Sequence, residues 1–127
     1  SVDRANKAIE IGACGFINIK TSRVGGLSNA IDIYNLCRKK DVPVWVGGML
    51  ESAVGQSFSL ALATMLTDAY PSDIFPSSRF YTRDISFPKI VLSSPGNVSA
   101  PDTDGAGFSP DIDLLRKSLV NFSSLSV

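Results

Sequence analysis

The chain has 127 residues, 44% of them hydrophobic and 19% charged, the balance of an ordinary globular domain and not of a disordered segment. Twelve basic and twelve acidic side chains cancel, and the densest basic run is Arg38-Lys39-Lys40, which argues against nucleic acid or an anionic membrane as the main partner. Histidine is absent, so Ser-His and Cys-His catalysis and histidine-held zinc or haem are excluded within the chain, and acid/base work falls to lysine, carboxylates or tyrosine.

The first element expected is a short helix over residues 3–12, with Ala5, Ala8 and Ile9 at helical spacing and Gly12 as its C-terminal stop. Phe16 to Lys20 then alternates as a strand, so Asn18 and Lys20 share one side while Ile17 and Ile19 take the other, where a helix would cover them. Leu27, Ala30, Ile31, Tyr34 and Cys37 form one face of the next helix, which ends in three cations suited to its C-terminal dipole. Val42 to Val46 reads as a strand buried on both faces and closed by Gly47-Gly48.

A further helix is expected over Ser52 to Thr67, with Val54, Phe58, Ala61, Leu62 and Met65 as its apolar stripe. Its apolar run, Phe58 to Leu66, is broken by Ser59 and Thr64 and is too short for a membrane span. Ser72 to Ser78 is the candidate for one more short strand. Val-Gly-Gly recurs at 24–26 and 46–48 and is expected to end each strand, an echo that points to βα units in an open parallel sheet or a (β/α) barrel. After Arg79 prolines punctuate the chain. Lys89 to Leu92 and Val98 to Ala100 are expected to pair as a hairpin about Ser94-Pro95-Gly96-Asn97, and Ser109 is expected to cap a last helix carrying Leu114, Leu115 and Leu119.

Cys14 and Cys37 sit in apolar contexts that suit buried thiols in a reducing cytoplasm, and Ser1-Val2-Asp3-Arg4 has no feature of a secretory signal. Lys20, at a strand end before a polar, glycine-ended turn, is a candidate acid, base or electrostatic clamp, with Asn18 as its inward neighbour. Gly47-Gly48 lets the backbone approach a ligand and turn amides toward an anion, or is simply a tight βα turn. Glu51 is either an acid/base group or a charge at a helix N-terminus.

Taken together, Ile17-Asn18-Ile19-Lys20, Arg23-Val24-Gly25-Gly26, Pro43-Val44-Trp45-Val46-Gly47-Gly48-Met49-Leu50-Glu51, Ser78-Arg79-Phe80-Tyr81 and Asp84 resemble the enolase superfamily. Within its muconate-lactonizing subgroup they resemble the o-succinylbenzoate synthase and N-acylamino acid racemase group, the Trp-x-Gly-Gly-Met-x-Glu run being the most specific piece. The resemblance implies a capping domain over a modified (β/α) barrel, and a small carboxylate substrate bound to a divalent ion, usually Mg2+, so that an enolate can form.

Lys20 matches the lysine of the sixth barrel strand, which faces a second lysine across the substrate. In racemases both exchange the α-proton; in the synthase this one stabilises the enolate and the other is the base. Gly48, Met49 and Leu50 match positions lining the acyl pocket, Phe80 one near the same end of the site, and Glu51 a glutamate at the site's edge.

The same resemblance puts the metal ligands and the partner lysine on earlier strands, upstream of Lys20. The chain therefore reads as the C-terminal part of a longer protein: residues 1–84 as barrel strands six to eight with their helices, and 85–127 as a tail hairpin and helix returning to the capping domain. No metal ligand is expected in this chain. The missing N-terminal half is its first partner, the full-length protein is expected to form a homo-oligomer, and the piece alone is expected to be inactive. Two other readings stand beside this one: a non-catalytic interaction module of βα units, and a phosphate-binding barrel isomerase using its Gly-Gly turns.

Overall fold

A computed structural model describes residues 1–66 and 70–124. Helix α1, Val2–Glu10, starts where Ser1 Oγ accepts from the Arg4 amide, and it ends before Gly12, whose φ of 65° turns the chain back. Strand β1, Ile17–Ile19, leads into a one-turn helix α2, Thr21–Val24, and then α3, Leu27–Lys39. Strand β2, Val44–Val46, lies parallel to β1 with Ile17 opposite Val44, Asn18 opposite Trp45 and Ile19 opposite Val46.

One face of this pair is the core. Ile19, Val44 and Val46 pack under Ala30, Ile33, Tyr34 and Cys37 of α3, with Leu62 closing the cluster. Full burial stabilises by about 1.5–3 kcal/mol for each large aliphatic side chain, which fixes the strand register because a one-residue slip would bring Asn18 and Trp45 inward. The other face carries Asn18 and Trp45. At its lower end Phe16 meets Trp45 at 6.3 Å and Tyr70 at 5.2 Å between ring centroids, lining an open hollow of about 510 Å³.

The sheet continues past β2. Tyr70 N–H donates to Val44 O at 2.9 Å, Asp73 N–H to Val46 O at 2.8 Å, and Gly47 bridges Asp73 in parallel. The strand expected at Ser72 to Ser78 is thus only this bridge, because Pro76 interrupts it and Ser77–Arg79 winds into a 3-10 turn.

Helix α4, Ala53–Met65, buries a different face from the one its apolar spacing suggests. Ala53, Gln56, Ser57, Ser59, Leu60 and Leu62 are inside, while Phe58 is 46% and Met65 53% exposed. The reason is hydrogen bonding: Gln56 Nε2 donates to Glu51 O and Ser57 Oγ to Val54 O nearby in the chain, and Ser59 Oγ pairs with the distant Thr21 Oγ1, so the buried polar groups are satisfied. The expected terminal residue, Thr67, lies outside the described residues.

The two Val-Gly-Gly copies are not equivalent. Gly25 and Gly26 follow helix α2, not a strand, with φ of 88° and 105°. Gly47 and Gly48 follow β2 directly and need their missing side chains for a different reason, given below.

In the tail, β3 (Ser86–Phe87) and β4 (Ser109–Pro110) pair antiparallel, and α5 spans Ile112–Lys117. Asp111, not Ser109, caps α5: its Oδ1 accepts from the Leu114 amide at 2.9 Å, while Ser109 is held in the strand pair. The expected hairpin reduces to its turn. Ser94 bridges Asn97 and the Ser93 amide donates to Asn97 O, but Lys89–Leu92 and Val98–Ala100 form no ladder, since Pro88 and Pro101 bound runs whose Val91 and Leu92 face solvent.

Candidate active site

The predicted site residues are brought together where β1 and β2 end. Lys20 leaves β1 half-buried and donates from Nζ to Gly48 O, 28 residues on, at 2.5 Å. A Cβ on Gly47 would stand 2.8 Å from both Lys20 Nζ and Asn18 Nδ2, and closer still to Asn18 Oδ1. One on Gly48 would stand 2.7 Å from the carbonyl oxygen of Asp73. The glycine pair is therefore a shelf, crossed by Asn18 and Lys20 on one side and by the backbone at Asp73 on the other.

Glu51 is fully engaged by protein. Its Oε1 accepts from Ser22 Oγ and its Oε2 from the Met49 amide, both at 2.9 Å, so it ties the turn after β1 to the loop after β2. Met49 and Leu50 are exposed on that loop. Tyr81 donates from its hydroxyl to Leu50 O at 2.6 Å and packs edge-on against Phe80, which meets Phe75 in the same way, so Phe80 is linked to the Met49–Leu50 loop through Tyr81.

Several amides here are already used. Gly47 N–H donates to Ile19 O, and the first turn of α4 is capped by three side chains: Asp84 Oδ2 accepts from Ala53, Ser86 Oγ from Val54 and Ser52 Oγ from Gly55. Asp84, 6% exposed, also accepts from Ser77 Oγ. These donors are held by protein acceptors and not turned toward an anion, as the phosphate-binding reading would have them.

Sequence reasoning missed Ser22, Tyr81 and Asp84 as parts of this assembly. Ser22 stands two residues past Lys20 and Tyr81 directly follows Phe80, but nothing local signals their partners, 29 and 31 residues away. Among the described residues no three Asp, Glu, Cys or His side chains cluster as cation ligands. No described helix is long and apolar enough to cross a membrane.

Parallel strands with covering helices are the arrangement of part of a (β/α) barrel, a fold that carries its functional groups at the strands' carboxyl ends. The chain belongs to the Enolase C-terminal domain-like family, which it matches over residues 1–114. It is 43% identical over 117 residues to an o-succinylbenzoate synthase of Bacillus subtilis strain 168, covering 92% of this chain and 31% of the relative. It is 39% identical over 115 residues to an N-succinylamino acid racemase of an Amycolatopsis species, with 91% and 31% covered.

Among solved structures, an enolase superfamily member from Listeria innocua matches with a TM-score of 0.84 at 39% identity, over 92% of this chain and 31% of that one. A dipeptide epimerase from Cytophaga hutchinsonii, complexed with Mg and the dipeptide D-Ala-L-Val, matches with a TM-score of 0.82 at 30% identity, over 91% and 31%. The chain thus spans about a third of the length of these relatives, and its fold is the C-terminal barrel part of the enolase type.

Proposed function

We propose that this chain is the C-terminal part of a divalent-metal-dependent enzyme that works through an enolate, acting as an o-succinylbenzoate synthase, an N-acylamino acid racemase or both. The observation that carries it is the placement of Lys20: an ammonium at the end of β1, beside Asn18, with one of its three donors taken by Gly48 O. Relatives named as a synthase, a racemase and an epimerase support the choice of chemistry. Racemisation and epimerisation both require a proton to leave and rejoin a carbon, and a lysine at this position is suited to hold that proton at Nζ or to neutralise the charge that develops as it leaves.

Asn18 is assigned to orient the small carboxylate substrate, and Gly48, Met49, Leu50 and Phe80 to line the pocket for its acyl arm. The divalent ion, Mg2+ by analogy with the epimerase complex, is assigned to carboxylates of the preceding segment, as is the partner lysine. Residues 1–84 are the barrel portion, and 85–127 return to the capping domain. The full-length protein is expected to be a homo-oligomer in the cytoplasm, a compartment that suits the two free thiols of this chain, and the 127-residue piece is expected to be inactive by itself.

The test is α-proton exchange. Full-length protein with magnesium is incubated with an N-succinyl amino acid in D2O and the α-proton signal is followed by NMR, while o-succinylbenzoate formation is assayed in parallel. The reading expects at least one of the two; neither would overturn it.

A further inference from the structure

Lys20 and Glu51 hold the same peptide group from opposite sides. The carbonyl of Gly48 accepts from Lys20 Nζ, and the amide of that same peptide unit, on Met49, donates to Glu51 Oε2. A planar trans peptide points its C=O and N–H in opposite directions, so the cation and the carboxylate each meet the end of the peptide dipole they favour. The other oxygen of Glu51 accepts from Ser22 Oγ, two residues beyond Lys20. Covalent chain and hydrogen bonds thus form a closed ring through Lys20, Ser22, Glu51, Met49 and Gly48.

We propose that Glu51 is a positioning residue: it locks the Gly48–Met49 peptide against rotation, and the locked carbonyl fixes the ammonium of Lys20. This inference deepens the enolate reading and rests on it for the role of Lys20. Without Glu51 the peptide unit, sitting on a glycine with no side chain to restrain it, is free to turn its carbonyl away. The ammonium then loses its anchor. Displacement of a reacting group by about 1 Å costs on the order of 100-fold in rate.

The conservative variant separates positioning from direct participation. In Glu51→Gln the side-chain carbonyl still accepts from the Met49 amide, and the new NH2 donates to Ser22 Oγ, since a hydroxyl also accepts. Glu51→Ala loses both bonds, and Ser22→Ala loses one and leaves the grip on Met49.

The experiment uses full-length protein with magnesium and N-succinyl-L-phenylalanine as the probe, reading α-proton exchange, and in parallel reads hydrogen exchange of the Met49 amide. Expected are a fall in kcat of about 10–100-fold for Glu51→Ala, a smaller fall for Ser22→Ala, and a value within about threefold of the parent for Glu51→Gln. The Met49 amide should exchange about tenfold faster or more in Glu51→Ala and keep its protection in Glu51→Gln.

Glu51→Gln falling as far as Glu51→Ala would make the charge itself the active element and overturn the proposal, and so would unchanged Met49 protection in Glu51→Ala. A parent protein with neither α-proton exchange nor o-succinylbenzoate formation would refute the enolate reading alone, and the amide protection would still decide the clamp.

Discussion

Asn18 lies over Gly47 so closely that the glycine has no room for a side chain: its amide nitrogen and the Lys20 ammonium would each be 2.8 Å from an added Cβ. Both are far ends of flexible side chains and can swing away. Gly47→Ala is therefore expected to cost about 1 kcal/mol or less in stability but at least about tenfold in turnover, since it displaces Asn18 and Lys20 together. Urea unfolding and steady-state kinetics on the full-length protein check the pair of values.

Gly48→Ala behaves differently. Its Cβ would meet the Asp73 carbonyl oxygen at 2.7 Å, and that backbone is held by the bond from Asp73 N–H to Val46 O. The loss is expected to fall on stability, about 1–3 kcal/mol, and to exceed that of Gly47→Ala. The reverse order of midpoints in the same urea titrations would contradict the packing described.

Asp84 holds the start of α4 and the 3-10 turn through one carboxylate oxygen, shared between the Ala53 amide and Ser77 Oγ. Asp84→Ala leaves both donors without this acceptor and is expected to cost about 1–3 kcal/mol in unfolding free energy; a change within about 0.5 kcal/mol would show the cap to be dispensable.

The helices α1 and α3 and strand β1 were legible because one face of each segment is apolar at its own period and the other is not, and β2 because Val44-Trp45-Val46 is a continuous β-branched and aromatic run closed by two glycines. The α4 face was illegible for the opposite reason. Apolar residues surround that helix, and its buried side includes Gln56, Ser57 and Ser59, whose polarity is cancelled only by partners such as Thr21, 38 residues away. Lys20 could be singled out from its strand-end position alone. Its grip on Gly48 and the engagement of Glu51 by Ser22 could not, because both depend on the parallel register that sets Ile19 opposite Val46. Asp111 displaced Ser109 as the cap of α5 because Ser109 is committed to β3, a pairing no local pattern announces.

Burial, with the neighbouring Cys14 adding to it, pushes the Cys37 thiol up from its ordinary value. The unfolded chain therefore ionises first as pH rises past the ordinary thiol range, and Cys37 is expected to lower stability there, with no contribution at neutral pH. In the folded full-length protein at pH 8, iodoacetamide is expected to alkylate Cys37 at least about tenfold more slowly than a free thiol. Alkylation at the free-thiol rate would contradict its burial.

Among the described strands, β1 pairs only with β2, leaving its other edge unpaired beside the exposed Phe16. Separated from the rest of its barrel, the 127-residue chain is expected to associate, since an unpaired edge and an apolar hollow both recruit partners. Light scattering after size exclusion checks this; a stable monomer across micromolar concentrations would contradict it.

The assignment of Lys20 is tested most directly by Lys20→Ala in the full-length protein, with α-proton exchange of an N-succinyl amino acid in D2O as the readout. The lysine is a half-buried residue outside the core cluster, so the variant should remain folded, with an unfolding midpoint close to the parent's, while exchange falls by at least about 1,000-fold. Exchange at the parent rate in a folded Lys20→Ala protein would contradict the account at its centre.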